Sequence, residues 1–484
     1  MLFNSVTYII FLLIVVPLYW FLPVILRKWL IVFSSIIFYG FWRFDFVLLV
    51  LLSTVVDYFI AQKIFNSVSK TIKKKWLIAA VITNLTLLFI FKYILFFSNS
   101  ISGLLNLFNV VIIVPDIFHN IILPLGISFY TFQTISYSVD VFRGIIKPEK
   151  NFILYTCYVM FFPQLVAGPI LRAEEVIYQF KNKLNFSINY VEDGIRRILL
   201  GLFLKVVLAD SISPFVDKGF DINPQFLGAI DVITLAFLFG FQIYFDFSAY
   251  SHIAIGTAKL FGLQFPENFN FPYISKSPRE FWRRWHISLS SWIRDYLYLP
   301  LAGAIFQQSS RGGLAIAIDK KKKNNSLFFT WLLMGLWHGA NWNFVFWGFY
   351  HYLLIIIYRV LNDNFRNVSI RLKNIVGLPL TLFFSMLSWV FFRADSLQIA
   401  LQMYSKLLNP QNYFFLGLRE NTYIVAFFLL IGTFITYYVH KIVIPYLRQK
   451  NVTIAIFETI FMSIVIILVF IYLQTINQFI YFQF

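Results

Sequence analysis

Two histidines stand where imidazole chemistry would be useful. His338 closes the apolar run Phe328-Phe329-Thr330-Trp331-Leu332-Leu333-Met334-Gly335-Leu336-Trp337 and is followed by Gly339-Ala340-Asn341-Trp342. An imidazole, with an ordinary pKa near ~6.5, stays neutral in an apolar site and takes a proton from a hydroxyl there, which is general-base chemistry. Gly335 and Gly339 leave room on either side for a substrate to approach. The same placement also suits a core histidine hydrogen-bonded between helices. His286 lies in Glu280-Phe281-Trp282-Arg283-Arg284-Trp285-His286-Ile287-Ser288-Leu289-Ser290-Ser291-Trp292. At helical spacing Trp282, Trp285 and Trp292 approach one face with His286 beside it, while Arg283 and Arg284 point elsewhere. Such arginines either anchor a helix through their packing or hold phosphates and inner-leaflet headgroups.

The other candidates are weaker. His119 and His440 fall near the ends of apolar segments and read as interfacial; His252 follows Ser-Ala-Tyr-Ser, and His351 lies close to His338 in sequence. Cys157 is the single cysteine, which excludes an internal disulfide, a cysteine-based zinc cluster and a CxxC redox motif. Its apolar surroundings, Tyr155 to Phe162, read as those of a small buried hydrophobe rather than a nucleophile. There is no GxxxxGK[ST] loop, no GxGxxG after a strand, no HExxH and no GxSxG elbow. ATP-driven transport, nicotinamide chemistry, zinc hydrolysis and a Ser-His-Asp hydrolase therefore lose ground, and no bound metal is expected.

The elements that must position these side chains belong to a bilayer. Of 484 residues, 59% are hydrophobic, 20% aromatic and only 13% charged, against about 25% charged in a soluble domain. Mean hydropathy is +0.74. This defines an all-α polytopic membrane protein, forming one integral membrane domain over 1–484, and excludes a DNA-binding protein, a disulfide scaffold and a disordered chain. The formal charge of +18 gathers in short loops, so it reads as positive-inside topology and not as nucleic-acid binding. Arg27 and Lys28, then Lys63, Lys70, Lys73, Lys74 and Lys75, mark cytoplasmic loops. Lys441, Arg448 and Lys450 do the same near the other end, so both termini are expected outside the cytoplasm. At ~20 residues per crossing, about ten to twelve membrane helices are expected. Candidates are 6–25, 30–41, 46–61, 76–97, 190–209, 229–247, 327–348, 374–392, 422–440 and 453–473. Several are short, which predicts tilted or broken helices. The Pro- and Arg-containing stretch 265–304 reads as re-entrant or horizontal helices facing the cytoplasm. The tract 307–325, with Lys320 to Lys323 consecutive, reads as a solvated loop that also touches anionic headgroups.

Ordered motifs add a family resemblance. Gly335-Leu336-Trp337-His338-Gly339-Ala340-Asn341-Trp342, with Trp347-Gly348 and His351 following, resembles the signature of the membrane-bound O-acyltransferases, in their bacterial alginate O-acetyltransferase-like branch. Matching stretches run in the same order from Pro124 to Ala394. They are 124–133, 162–170 (Phe-Pro-Gln-Leu-Val-Ala-Gly-Pro-Ile), 244–250 (Tyr-Phe-Asp-Phe-Ser-Ala-Tyr), Asn268-Phe269 with Pro272-Tyr273, 281–300, and 389–394 (Trp-Val-Phe-Phe-Arg-Ala). The opening Leu2-Phe3-Asn4-Ser5 fits as well. The resemblance implies a fold in which a cytoplasmic tunnel and an outer funnel meet at a catalytic His338, with His286 a second functional histidine nearer the cytoplasmic entry. It implies a cytoplasmic thioester donor, acetyl-coenzyme A or an acyl carrier protein. Asn341 is a candidate for positioning substrate or an oxyanion, and Arg283 and Arg284 are candidates for binding donor or lipid headgroups. The chain departs from the pattern at Ala302-Gly303-Ala304, where relatives have a Gly-Gly pair, which touches the donor-side loop and not the histidines.

The tail 479–484, Phe-Ile-Tyr-Phe-Gln-Phe, sets a hydroxyl among aromatics after the last apolar segment. It is similar to the Phe-x-Tyr-x-x-Phe tail of the helper peptide in lipoteichoic acid D-alanylation, which implies acylation of Tyr481 with His338 as base. The group would then pass to a separate extracytoplasmic transferase of the SGNH type. An interfacial aromatic belt is the alternative. The functional expectation is O-acetylation of an exported polysaccharide, an alginate-like exopolymer, capsule or peptidoglycan, at the cytoplasmic (inner) membrane. Transfer to a lipid or protein is a second reading. A polysaccharide flippase is a third, disfavoured because the polar residues gather around one Trp-His-Gly instead of lining a path.

Overall fold

The computed structural model describes residues 1–166, 168–308, 314–317, 322–365, 369–445, 451–473 and 479–480, without side-chain detail over 305–308, 314–317 and 451–458. It is helical almost throughout. Among the described residues, seven helices are long and apolar enough to cross a membrane: Asp45–Asn66, Lys70–Asn106, Ile188–Phe220, Ala229–Leu260, Trp342–Asn364, Ile370–Arg393 and Glu420–Val443. Val6–Phe21 and Thr459–Tyr472 are shorter apolar helices. Val24–Gly40 and Lys323–His338 run 17 and 16 residues, below the ~20 of a straight crossing. The protein is thus a multi-pass, all-α membrane protein, with one small exception: Ile305–Gln308 pairs antiparallel with Leu314–Ala317. That hairpin corrects the reading of the 307–325 tract as a loop throughout.

The contacts divide the chain into two compact units, residues 1–198 with 253–266, and 199–252 with 267–484. In the first, buried polar groups fix how the helices meet. Asn84 Nδ2 donates to Asp57 Oδ1 at 2.7 Å, and Thr134 Oγ1 donates to Asn84 Oδ1 at 2.9 Å, so Asp45–Asn66, Lys70–Leu88 and Ile127–Arg143 share one network. Unmet polar groups are costly in such surroundings, which specifies this arrangement over a slipped one. The Tyr8 and Thr257 hydroxyls, 2.6 Å apart, join the first helix to the end of Ala229–Leu260. Cys157 is fully buried, its thiol 3.4 Å from the Lys28 carbonyl oxygen and pushed up to about 12 by burial; the buried-hydrophobe reading describes it.

The second unit holds both histidines of interest. Its core element is Ala229–Leu260 up to His252, with 72% of its apolar window buried, whereas Glu420–Val443 has only 6% buried and presents its side chains outward. The expected span 327–348 is in fact two helices, Lys323–His338 and Trp342–Asn364. The apolar run is continuous, but Asn341 is a strong N-cap and its side chain accepts from the Asn343 N–H at 3.1 Å, starting a new helix after a sharp reversal. Close packing of the pair requires glycine. A methyl on Gly335 would overlap the Phe344 carbonyl oxygen, and one on Gly348 the Trp331 carbonyl oxygen. The room expected beside His338 is likewise taken, because a methyl on Gly339 would meet the Phe344 ring.

Candidate active site

His286 sits on a turn, not on the continuous helix that the tryptophan spacing implied. Pro278–Arg284 is capped by Ser277, whose Oγ accepts from the Glu280 N–H at 3.1 Å. The helix stops at Trp285, and Ile287–Trp292 begins anew. Between them His286 adopts φ 41°, ψ 58°. A side chain in this left-handed region costs of order 1–3 kcal/mol and persists where the surroundings over-determine it. Here the flanks are pinned: Asn270 N–H donates to the Arg284 carbonyl and Ile287 N–H to the Asn268 carbonyl, each at 2.9 Å.

Asn268, wholly buried, sets the chemistry of the ring. Its Oδ1 lies 3.2 Å from the Ser288 backbone N–H, an obligate donor, and 2.9 Å from Ser288 Oγ. Its Nδ2 donates to Ser251 Oγ at 3.1 Å. The amide orientation follows, and the His286 Nδ1 that lies 3.1 Å from the same Oδ1 must carry the proton. Nε2 is therefore the basic nitrogen. Burial pushes the imidazole down to about 3, so the ring is neutral at physiological pH. The Phe247 ring packs edge-on at 4.7 Å.

His338 ends its helix inside an aromatic box. Trp337, Trp347 and Phe392 lie 4.9, 5.0 and 5.2 Å away, centroid to centroid. It is buried as well, with 7% of its surface accessible against none for His286. Trp337 lies 6.4 Å from His286 as well. The two histidines predicted from sequence are thus brought into one aromatic cluster, with the Trp337 indole between them.

His351 belongs to the same cluster but is fully engaged. Ser388 donates its hydroxyl proton to the Ser385 carbonyl at 2.6 Å, so its oxygen accepts from His351 Nε2–H at 3.1 Å, and His351 Nδ1 faces the Trp282 indole N–H at 3.4 Å. With both nitrogens committed, this imidazole is a brace between helices. Arg284 is committed too, paired with Glu280 at 2.9 Å and donating to the Asn270 carbonyl at 3.1 Å; its neighbour Arg283 is exposed. Asn341 is exposed, its Oδ1 used in capping. His119 and His440 are exposed, as interfacial residues would be. Tyr481 lies outside the described residues. Among the described residues no three of His, Cys, Asp and Glu converge as metal ligands would. Sequence reasoning missed Asn268 and Ser251 as holders of His286. The signal was an Asn in a Pro-rich stretch, visible in the motif but without a partner until the 229–260 helix was placed.

Two buried imidazoles thus share one aromatic cluster within a multi-pass bundle. Residues 146–401 match the family described as MBOAT, membrane-bound O-acyltransferase family, and the chain belongs to that family. It is an acyltransferase. Among its relatives, a probable alginate O-acetylase, AlgI, of Pseudomonas aeruginosa is 37% identical over 434 residues, covering 85% of this chain and 79% of the relative. A peptidoglycan O-acetyltransferase of Helicobacter pylori is 35% identical over 407 residues, covering 79% and 73%. A teichoic acid D-alanyltransferase of Bacillus subtilis is 30% identical over 252 residues, covering 50% and 60%.

Proposed function

We propose that this acyltransferase moves an acetyl group from a cytoplasmic thioester, acetyl-coenzyme A or an acyl carrier protein, across the cytoplasmic membrane for O-acetylation of an exported polysaccharide. The alginate and peptidoglycan activities of the relatives support the acyl group and the polymer class. The observation that carries the reading is the His286–Trp337–His338 cluster, in which two buried imidazoles flank one indole.

In this reading His338 is the general base. It takes the proton of an acceptor hydroxyl as that oxygen bonds to the thioester carbonyl carbon. The tetrahedral intermediate collapses, the C–S bond breaks, and the thiolate leaves with the proton held on the imidazole. No ATP is required, because the thioester supplies the driving force. His286, held by Asn268, keeps an unprotonated Nε2 on the donor side. Arg283 is the exposed cation available to a donor phosphate or a lipid headgroup. Asn341 retains only its amide N–H groups for an oxyanion, since its oxygen caps a helix. Tyr481 is the first acceptor and hands the acetyl group to an extracytoplasmic SGNH-type transferase, which loads the polymer. Both termini lie outside the cytoplasm in this topology.

The test feeds labelled acetyl-coenzyme A to inside-out membranes, with the partner enzyme and polymer supplied. Label on protein and polymer is expected with wild type, none with His338→Ala, and no polymer label with Tyr481→Phe. Full labelling by His338→Ala removes the general base; full polymer labelling by Tyr481→Phe removes the relay. If wild type takes no label from acetyl-coenzyme A but does from an acyl carrier, the donor is the carrier.

A further inference from the structure

Deep in the second unit, a set of charges has no part in the chemistry above. Lys205, with 2% of its side chain exposed, sits in a π-helical turn, Phe203–Ala209, inside a membrane-crossing helix. Its ammonium pairs with Asp246 at 2.6 Å and with Asp210 at 2.9 Å. Ionised groups at such depth are expensive and mark function by default, and π turns concentrate at functional positions.

Asp246 meets the ammonium through Oδ1, and its Oδ2 serves a second donor. The C-terminal tail contributes a donor. Ile480 N–H donates to Asp246 Oδ2 at 2.8 Å. The Phe479 ring lies under the Lys205 ammonium at 4.8 Å and meets Tyr250 edge-on at 5.1 Å. Phe479 and Ile480 are accordingly buried, at 1% and 8% exposure.

We infer that Lys205, Asp210 and Asp246 form an intramolecular socket for the C-terminal tail, holding it by a charge-assisted backbone hydrogen bond and a cation–π contact. The socket and the His286 support are borne by one helix: Asp246 and Tyr250 hold the tail, while Phe247 and Ser251, one position further on, pack against His286 and bond Asn268. Tail anchoring and ring positioning are therefore set by a single rigid element. Tyr481 follows Ile480 in the chain, so any catalytic consequence of the anchoring rests on the relay reading; the anchoring itself does not.

Hydrogen–deuterium exchange of the full-length protein in lipid nanodiscs reads the anchor directly, through the Ile480 amide in the terminal peptide. Wild type is expected to exchange slowly there. Asp246→Ala is expected to speed exchange by about ten-fold or more, as loss of a hydrogen bond to a charged group implies, with Asp246→Asn in between. Phe479→Ala removes the tail side of the contact while leaving all three charges paired, so it serves where Asp246→Ala fails to fold. Unchanged exchange in both variants, or free-peptide exchange in wild type, overturns the socket. The second readout is labelled acetyl transfer to acceptor. A fall in kcat with an unaltered KM for the donor thioester is expected in Phe479→Ala and Asp246→Asn. If the tail is released but transfer keeps the wild-type rate, the socket stands and the relay reading is what fails.

Discussion

Replacing Asn268 by alanine isolates the positioning of His286 from the chemistry of the ring itself. The side chain is wholly buried, and its oxygen accepts from Ser288 N–H, Ser288 Oγ and His286 Nδ1. The serine hydroxyl can turn elsewhere and the imidazole can move its proton to the other nitrogen, but the Ser288 N–H has no such escape. Leaving that buried donor unmet costs about 1–3 kcal/mol, so Asn268→Ala is expected to destabilise by about that much before any water enters the gap. The larger signature is kinetic. Without Oδ1 nothing compels the proton onto Nδ1, and the ring divides between tautomers and rotations. Misplacing a positioned group by about 1 Å costs roughly 10²-fold, so a fall in kcat on the order of 10²-fold is expected, at little change in donor KM. The assay is labelled transfer per folded protein, measured for Asn268→Ala, His286→Ala and the double variant. If Asn268 acts through His286, its effect disappears once the imidazole is gone, and the two losses are strongly non-additive. Additive losses, or full turnover by folded Asn268→Ala, would refute the argument.

Three further outcomes follow from the same packing. His351→Ala lowers the thermal midpoint while the protein that remains folded keeps most of its turnover, because both ring nitrogens brace helices; a folded but inactive variant would contradict this. Gly335→Ala places a methyl against the Phe344 carbonyl oxygen, which cannot swing aside as a side chain would, and is expected to cost about 1–3 kcal/mol in a denaturation series. Cys157 is expected to resist maleimide between pH 7 and 9 in folded protein and to react fully after denaturation, since its thiol is buried and pushed up to about 12. Labelling of the folded chain would show the thiol to be open to solvent.

Much of the site was legible because membrane segments make polar residues conspicuous. His338 and His286 stand out against the apolar runs around them, and their ordered motifs identify the family. What was not legible came from partners remote in sequence. Lys205 lies 41 residues from Asp246, and no local period ties an ammonium in one apolar run to a carboxylate in another. The split of 327–348 was hidden for the opposite reason: the Asn341 cap was in plain view, but the apolar run on both sides outweighed it. The two tautomers, Nδ1–H at His286 and Nε2–H at His351, needed the direction of an asparagine amide and of a serine hydroxyl, which only coordinates supply.

The glycine seam of the 323–338 and 342–364 helices bears on how a group could pass this point. Backbone meets backbone at Gly335 and Gly348, with a carbonyl oxygen where even one methyl would not fit. A seam that tight has no slack for sliding, since a shift by one turn would bring Trp331 or Tyr352 against the oxygen that glycine now accommodates. The wall that carries His338 is therefore a fixed partition. In the proposed transfer the acyl group is accordingly handed past a stationary post.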